Sequence, residues 1–206
     1  MIAPRKVKFE AKKKENENIE FRTFLKCNAD EKELDEQFKK LHEELFANYD
    51  CSRCRNCCKM YCGSIPEEDL EKDAEYLGIT KEELINSYLI KKESENTYVT
   101  KHHPCDFLEE DGNCKLGEYK PENCRKYPYT NQPGRLQSLY SVLEAVEVCP
   151  IAFEIYERLK KAKLGDFCLE LHSDKATMKK LQPSLANSFN EYIAKSPKTY
   201  IQTKET

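Results

Sequence analysis

The sequence predicts a mainly α-helical domain with a loop-rich centre and little β-structure. On both sides of the centre, apolar residues recur at the three- and four-residue spacing of a helix face. Between residues 104 and 134, prolines and glycines gather instead, and cysteines stand among them. Because so long a loop is unusual in a compact domain, we expect something other than regular structure to hold it in place.

The chain is long enough for one domain and carries little net charge. Its 206 residues include 34 Lys and Arg against 37 Asp and Glu, a formal net charge of −3. This balance excludes a polycation built for nucleic acid. Neither a G-x-G-x-x-G nor a G-x-x-x-x-G-K-[ST] sequence occurs, which excludes the usual Rossmann and P-loop fingerprints.

The sequence predicts neither a membrane span nor a secretory signal. No apolar run approaches the ~18 residues that a membrane helix needs. No apolar stretch of ~7–15 residues follows the charged first residues. We therefore expect a cytoplasmic protein without membrane or nucleic-acid partners, and leave an unidentified protein partner open.

Three segments are predicted along the chain. Residues 1–28 begin with a run of basic side chains and are predicted to form a solvated, partly disordered tail. Residues 29–170 are predicted to form a single domain whose motifs lie between 51 and 150. Residues 171–206 are predicted to form a helical extension and tail.

The first predicted helix covers about 31–48. Asp30 suits its N-cap, and Glu33 follows three residues later, close to a capping-box arrangement. One helical face carries Leu34, Phe38, Leu41 and Leu45, which are predicted to be core.

Two further helices and a short strand are predicted before the loop. Pro66 and Gly78 suit the start and end of a helix over about 67–77. Thr80 and Glu83 form a capping box for a helix over about 81–90. Strand character is confined to 97–100.

After the loop, helical spacing returns. Residues 136–147 and 151–163 both repeat apolar side chains at this spacing, interrupted at Cys149-Pro150. A last amphipathic stretch, about 175–194, is interrupted near Pro183.

Eleven cysteines are the most informative feature of the sequence. Residues 51–58 read C-S-R-C-R-N-C-C, two overlapping C-x2-C units that place several sulfurs on one tight loop. Four more cysteines follow, each beside turn residues. In a reducing compartment such clusters bind metal more often than they form disulfides. The candidate metal ligands are Cys51, Cys54, Cys57, Cys58, Cys105, Cys114, Cys124 and Cys149. The loop-rich centre is thus predicted to be nucleated by metal.

The sequence resembles the YkgJ-like cysteine-cluster family of zinc- or iron-chelating domains. Residues 51–58 match its C-x-x-C-x-x-C-C signature, and residues 104–108, 112–114 and 121–128 resemble its second block. Cys149-Pro150 resembles its final cysteine. The family often has Arg before the proline at position 121, where this chain has Lys120. The resemblance implies metal chelation, and relatives that are flagellin lysine methylases imply an enzymatic role within the wider group.

Adjacent residues rarely aim both side chains at one centre, so we expect that Cys57 and Cys58 serve different metals or that one of them is spare. Cys51, Cys54 and Cys57 would share one site with the remote Cys149, as in bacterial ferredoxins. The remaining four thiols would form a second site. A [4Fe–4S] cluster on the first group is the favoured hypothesis, and two zinc ions in the same two places are the alternative. A binuclear site that shares thiolates stays open.

Other residues near the motifs carry weaker predictions. Five cations that could offset thiolate charge are Arg53, Arg55, Lys59, Arg125 and Lys126. His102 and His103 precede Cys105 but are not expected to be ligands. Cys27, Cys62 and Cys168 have no assigned role.

The sequence leaves three classes of function open. The leading class is a metal-binding cysteine-cluster protein. The second is an iron–sulfur-dependent enzyme distantly related to the flagellin lysine methylases, although no catalytic residue is identified. The third is a thiol–disulfide protein.

Overall fold

The fold is mainly helical with one small sheet among the described residues, as predicted. The computed structural model describes residues 1–92 and 96–173. The stretch predicted to be helical at 175–194 lies outside them. Within them, no helix combines the length and the apolar character needed to cross a membrane.

The expected N-terminal tail is instead a pair of helices, which corrects the prediction for residues 1–28. Helix α1 covers Val7–Lys13 and α2 covers Glu15–Asn28. Val7, Phe21 and Leu25 are buried. The sequence does not predict these helices because residues 1–28 contain many basic and few apolar side chains. The buried apolar residues do lie four positions apart, as on one helix face, for example Phe21 and Leu25.

Helix α3 covers Glu31–Phe46, close to the predicted bounds. The Asp30 side chain accepts a hydrogen bond from the Glu33 amide at 2.9 Å, so the predicted N-cap is confirmed. Leu34, Phe38 and Leu45 are buried, as their spacing predicts, and Leu41 is partly buried against the same core.

A first hydrophobic core is formed by α1, α2 and α3 with two C-terminal helices. These are α8, Leu139–Val146, and α9, Pro150–Ser173. Phe21 meets the ring of Tyr156 edge-on at 5.2 Å. Helix α8 begins three residues later than the predicted bound. Pro150 suits the first position of α9, since its missing N–H needs no partner there.

A second core surrounds a three-stranded antiparallel sheet of order β1-β3-β2. Strands β1, β2 and β3 cover Ser64–Pro66, Leu89–Lys92 and Thr97–Thr100. The predicted strand is thus its central member, with Ile65 opposite Tyr98.

Helices α5, Leu70–Leu77, and α6, Lys81–Tyr88, pack near this sheet. Gly78 ends α5 with φ 69°, and Thr80 and Glu83 form the predicted capping box. The chain leaves α6 at Tyr88 and enters β2, which shortens the helix predicted to reach 90.

The cysteine-bearing segments border both cores: Cys149 belongs to the first, and Cys105 and Cys114 pack against the second. Over residues 51–62 and 101–134 the α-helices are the short α4, Asn56–Met60, and α7, Glu122–Lys126. Two 3-10 helices, Cys51–Arg53 and Gly117–Tyr119, and turns make up most of the rest.

Candidate metal centre

A tight turn organises the first cysteine loop. The Asp50 carboxylate accepts hydrogen bonds from the Ser52 amide and hydroxyl. The amides of Cys54 and Arg55 both donate to the Cys51 carbonyl at 3.1 Å. Arg55 then adopts a left-handed conformation, φ 52°, and α4 starts behind it. This short-range folding places Cys51, Cys54 and Cys57 on one compact loop.

Cys57 and Cys58 follow each other in α4, about 100° apart around the helix axis. Their sulfurs are 3.9 Å apart and share a hydrogen bond. That bond raises the pKa of Cys57 and lowers the pKa of Cys58. Cys58 lines the cavity described next, whereas Cys57 is not among its lining residues. The assignment of the two thiols to different metals stays a prediction.

Four cysteines from three segments line one small cavity of about 30 Å³. They are Cys58, Cys105, Cys114 and Cys124. These are the same four thiols that the sequence groups together. Burial raises the pKa of Cys114, and it raises the pKa of Cys124 to about 11.

Backbone hydrogen bonds bring the segments around this cavity together. The Cys105 amide donates to the Cys58 carbonyl at 2.8 Å. A bridge pairs Leu108 with Cys114 across a tight loop. Gly112, at the tip of that loop, lies so close to the Ser52 carbonyl that a Cβ there would come within 2.4 Å of its oxygen. The two cysteine loops are therefore in direct contact.

Gly63 borders the same thiols. A Cβ at this position would lie 3.6 Å from Cys105 Sγ and 4.0 Å from Cys124 Sγ. A larger side chain there would reach toward the space between the sulfurs. The glycine thus keeps room beside them.

The other four cysteines form a second neighbourhood around the start of α9. Cys149 is buried, and burial raises its pKa to about 12, while the Ala152 and Ile151 amides act in the opposite direction. Cys51 and Cys54 lie near enough to raise the pKa of Cys149 further. The hydrogen bond with Cys58 and burial raise the pKa of Cys57, and the charge of Cys149 adds to this in a smaller way. These effects relate the other three thiols to Cys149, and the grouping of all four around one metal stays a prediction.

Lys120 lines the cavity, although it is not among the predicted cations. Burial has the largest effect on the pKa of Cys51, Cys114 and Cys124, and the hydrogen bond between Cys57 and Cys58 has the largest effect on those two thiols. Beside these larger causes, the charge of Lys120 acts to lower the pKa of all five thiols, which belong to both groups. The sequence held a signal for it, because Lys120 occupies the position where the resembling family often has Arg.

Of the five predicted cations, Arg55 lines the cavity. Its Nε–H is buried and has no hydrogen-bond partner among the described residues, which leaves a donor free beside the thiols. Arg125 instead donates to the Glu118 carbonyl at 3.0 Å, and Lys126 pairs with Glu122 at 2.7 Å. The side chains of Arg125 and Lys126 thus both contact partners close in the sequence.

The remaining cysteines and histidines lie outside the two groups. Cys27 is an exposed thiol on α2. Cys62 Sγ contacts His103 Nε2 at 3.3 Å, and His102 pairs with Asp106 at 2.7 Å. The side chain of Cys168 lies outside the described part of the chain.

The residues fit a thiophilic metal by the chemistry of their donors. Four thiols surround the cavity, a glycine keeps space beside them, and Lys120 and Arg55 offset negative charge. No group of three or more His, Cys, Asp or Glu side chains in the described ranges is already arranged to hold an ion. Side-chain rotation about χ1 would therefore have to draw the thiols inward.

Comparison with known families identifies this region. The model of the CxxCxxCC family, described as a putative zinc- or iron-chelating domain, matches residues 50–150. That stretch of the chain belongs to the family. No curated protein and no solved structure matches the chain significantly. The match supports a zinc- or iron-chelating function for this domain.

Proposed function

We propose that the protein chelates two metal centres, each through four thiolates. Cys58, Cys105, Cys114 and Cys124 hold one, and Cys51, Cys54, Cys57 and Cys149 hold the other. The observation that carries the proposal is the cavity lined by four cysteines from three segments of the chain. Four sulfurs around one cavity match the ligand set of a closed, structural metal site.

The size of the cavity favours a single ion at the first of these centres. A cavity needs roughly 10–15 Å³ to hold one water-sized particle. The observed volume of about 30 Å³ therefore suits one ion, whereas a four-iron cluster has eight atoms. Zinc, bound tetrahedrally by four thiolates, meets this requirement.

The centre at Cys51, Cys54, Cys57 and Cys149 suits zinc or a [4Fe–4S] cluster. Three of its thiols come from one loop, and the fourth precedes a proline, as in bacterial ferredoxins. A cluster here would make the iron–sulfur enzyme the alternative function. An absorption spectrum separates the two metals, because zinc thiolates are colourless in the visible range.

Elemental analysis of single variants tests the proposed partition of ligands. The full chain, purified without oxygen, should hold two centres. Cys114→Ser should lose the first centre, and Cys54→Ser should lose the second. Cys27→Ser is the matched control because it changes an exposed thiol outside both groups.

The proposed partition of ligands predicts the metal content of each variant. Each ligand variant should keep one centre, and the control should keep both. Full metal content in Cys114→Ser and Cys54→Ser alike would contradict the proposal. So would an unchanged chain that binds no metal while its cysteines are reduced.

A further inference from the structure

A pair of metal-binding side chains lies outside both groups of four cysteines. Cys62 Sγ and His103 Nε2 are 3.3 Å apart. His103 is exposed and Cys62 is half-buried. The two residues are 41 positions apart in the sequence, so the fold rather than local spacing brings them together.

The separation of the two donor atoms suits a shared ion. Zinc binds sulfur at ≈ 2.3 Å and imidazole nitrogen at ≈ 2.0–2.1 Å in tetrahedral geometry. Two such bonds place the donor atoms about 3.5 Å apart. The observed 3.3 Å is within a few tenths of an ångström of this value. Two protein ligands leave the other positions open to water or to a donor molecule.

The backbone on either side of the pair is fixed by hydrogen bonds. Gly63, directly after Cys62, donates to Thr100 Oγ1 at 3.1 Å and accepts from the Thr100 amide at 3.0 Å. Cys105, two residues after His103, donates to the Cys58 carbonyl at 2.8 Å. The pair is therefore anchored to the end of β3 and to α4.

The same anchors connect the pair to the four-cysteine cavity. Gly63 borders Cys105 and Cys124, as described above. Cys105 is itself a cavity residue. Cys62 thus directly precedes a residue that lines the cavity, Gly63, and one residue, Pro104, separates His103 from a cavity thiol.

We propose that Cys62 and His103 form a loading site for the cavity. This site captures a thiophilic divalent cation such as Zn²⁺ from solvent and passes it to Cys58, Cys105, Cys114 and Cys124. The inference rests on the proposed function of that cavity. It adds the route by which the ion arrives.

Each step of the transfer balances in protons and bonds. Capture forms one bond to Cys62 Sγ and one to His103 Nε2 as water molecules leave the hydrated ion, and the Cys62 thiol proton goes to solvent. Transfer breaks both bonds as four bonds to the cavity sulfurs form. The four cavity thiols then lose their protons to solvent, and Cys62 regains one from solvent.

Kinetics of metal uptake by the full chain test the loading site. The metal-free, reduced protein is mixed with Zn²⁺ held by a coloured chelator, and loss of the coloured complex is followed in time. In His103→Gln and Cys62→Ser, one of the two equivalents should enter at least tenfold more slowly. The final content should remain two equivalents.

His102→Gln is the matched control, because His102 is an exposed neighbour that pairs with Asp106. It should load at the rate of the unchanged protein. Wild-type uptake kinetics in His103→Gln would overturn the loading site. Equal slowing in His102→Gln would also overturn it, since the effect would then belong to the loop. Failure of the unchanged protein to take up metal would instead refute the proposed function.

Discussion

At the scale of single residues, Lys120 is the one cation among the described residues whose charge acts on the pKa of all five thiols named above. Its charge acts on thiols of both groups, and it replaces the guanidinium often found at this position in the resembling family. A lysine supplies a point charge without the planar fork of arginine, so its effect on the thiols is electrostatic rather than bidentate. Lys120 should therefore govern how strongly protons compete with metal.

Lys120→Met should make the protein release metal at a higher pH during acidification. Without the positive charge the thiol pKa values rise, so protons displace the metal more readily. We expect the midpoint of release to move upward by about half a pH unit to one unit. Metal release against pH, read by a coloured chelator, measures it.

Lys126→Met is the control for this change, because Lys126 pairs with Glu122. Its release midpoint should match that of the unchanged protein. A midpoint in Lys120→Met that stays in place, or moves downward, would show that Lys120 does not stabilise the thiolates.

At the scale of elements, contact between the two cysteine loops depends on Gly112. Its φ of 87° disfavours other residues, and its Cα faces the Ser52 carbonyl. A side chain there would push the loop of residues 109–114 away from the loop of residues 51–55. The metal centre would lose its alignment as a result.

Gly112→Ala should destabilise the protein more than Gly78→Ala does. Both positions have positive φ, but a Cβ at Gly78 has no atom within 4 Å outside its immediate chain neighbours, among the described residues. The difference in unfolding free energy should be about 1–3 kcal/mol, the cost of overpacking. Denaturant unfolding of the two metal-loaded variants measures it. Equal losses would mean that the close approach to Ser52 has no energetic consequence.

Helix α5 buries a carboxyl group beside the second core. Asp73 is 1% exposed, and one of its oxygens has no hydrogen-bond partner among the described residues. Burial, together with the charge of Asp69, raises the pKa of Asp73 to about 6. The charged form is therefore disfavoured in the folded state.

This shift gives a pH dependence with a definite sign. Between about pH 4 and pH 6 the folded state binds a proton that the unfolded state lacks, so the contribution of Asp73 to stability rises as pH falls. Asp73→Asn should raise the melting temperature at pH 7. It should also make the stability depend less on pH between about pH 4 and pH 6. A lower melting temperature at pH 7 would show that the carboxylate is stabilising.

At the scale of the whole molecule, we expect the two hydrophobic cores to depend unequally on metal. The first core consists mainly of helices from both ends of the described chain, with Cys149 as the one cysteine among its buried residues. The second includes Cys105 and Cys114 at its edge. A structural zinc site contributes roughly 10–16 kcal/mol in isolated zinc-finger peptides, comparable to the stability of a domain.

Metal removal should therefore loosen the molecule unevenly. After chelation, amide hydrogen exchange should accelerate strongly over residues 101–130 and much less in α3 and α8. The apolar packing of those helices remains when the thiolates are free. Uniform protection before and after chelation would contradict a structural role for the metal.

Local signals account for the parts of the fold that the sequence predicts well. The caps at Asp30 and Thr80 involve residues three positions apart, and the C-x2-C spacing is equally short in range. Distant partners in the sequence stabilise strands β1 and β2 and the helices of residues 7–28. Because these segments are short or highly charged, their own sequences do not predict them. The positions of Lys120 and of the Cys62–His103 pair are likewise set by tertiary contacts.

X-ray absorption spectroscopy at the metal edge of the anaerobically purified full chain tests the central claim most directly. We expect a first shell of four sulfur atoms per metal, at about 2.3 Å for zinc. A shell dominated by oxygen or nitrogen would contradict thiolate chelation by the two groups of cysteines.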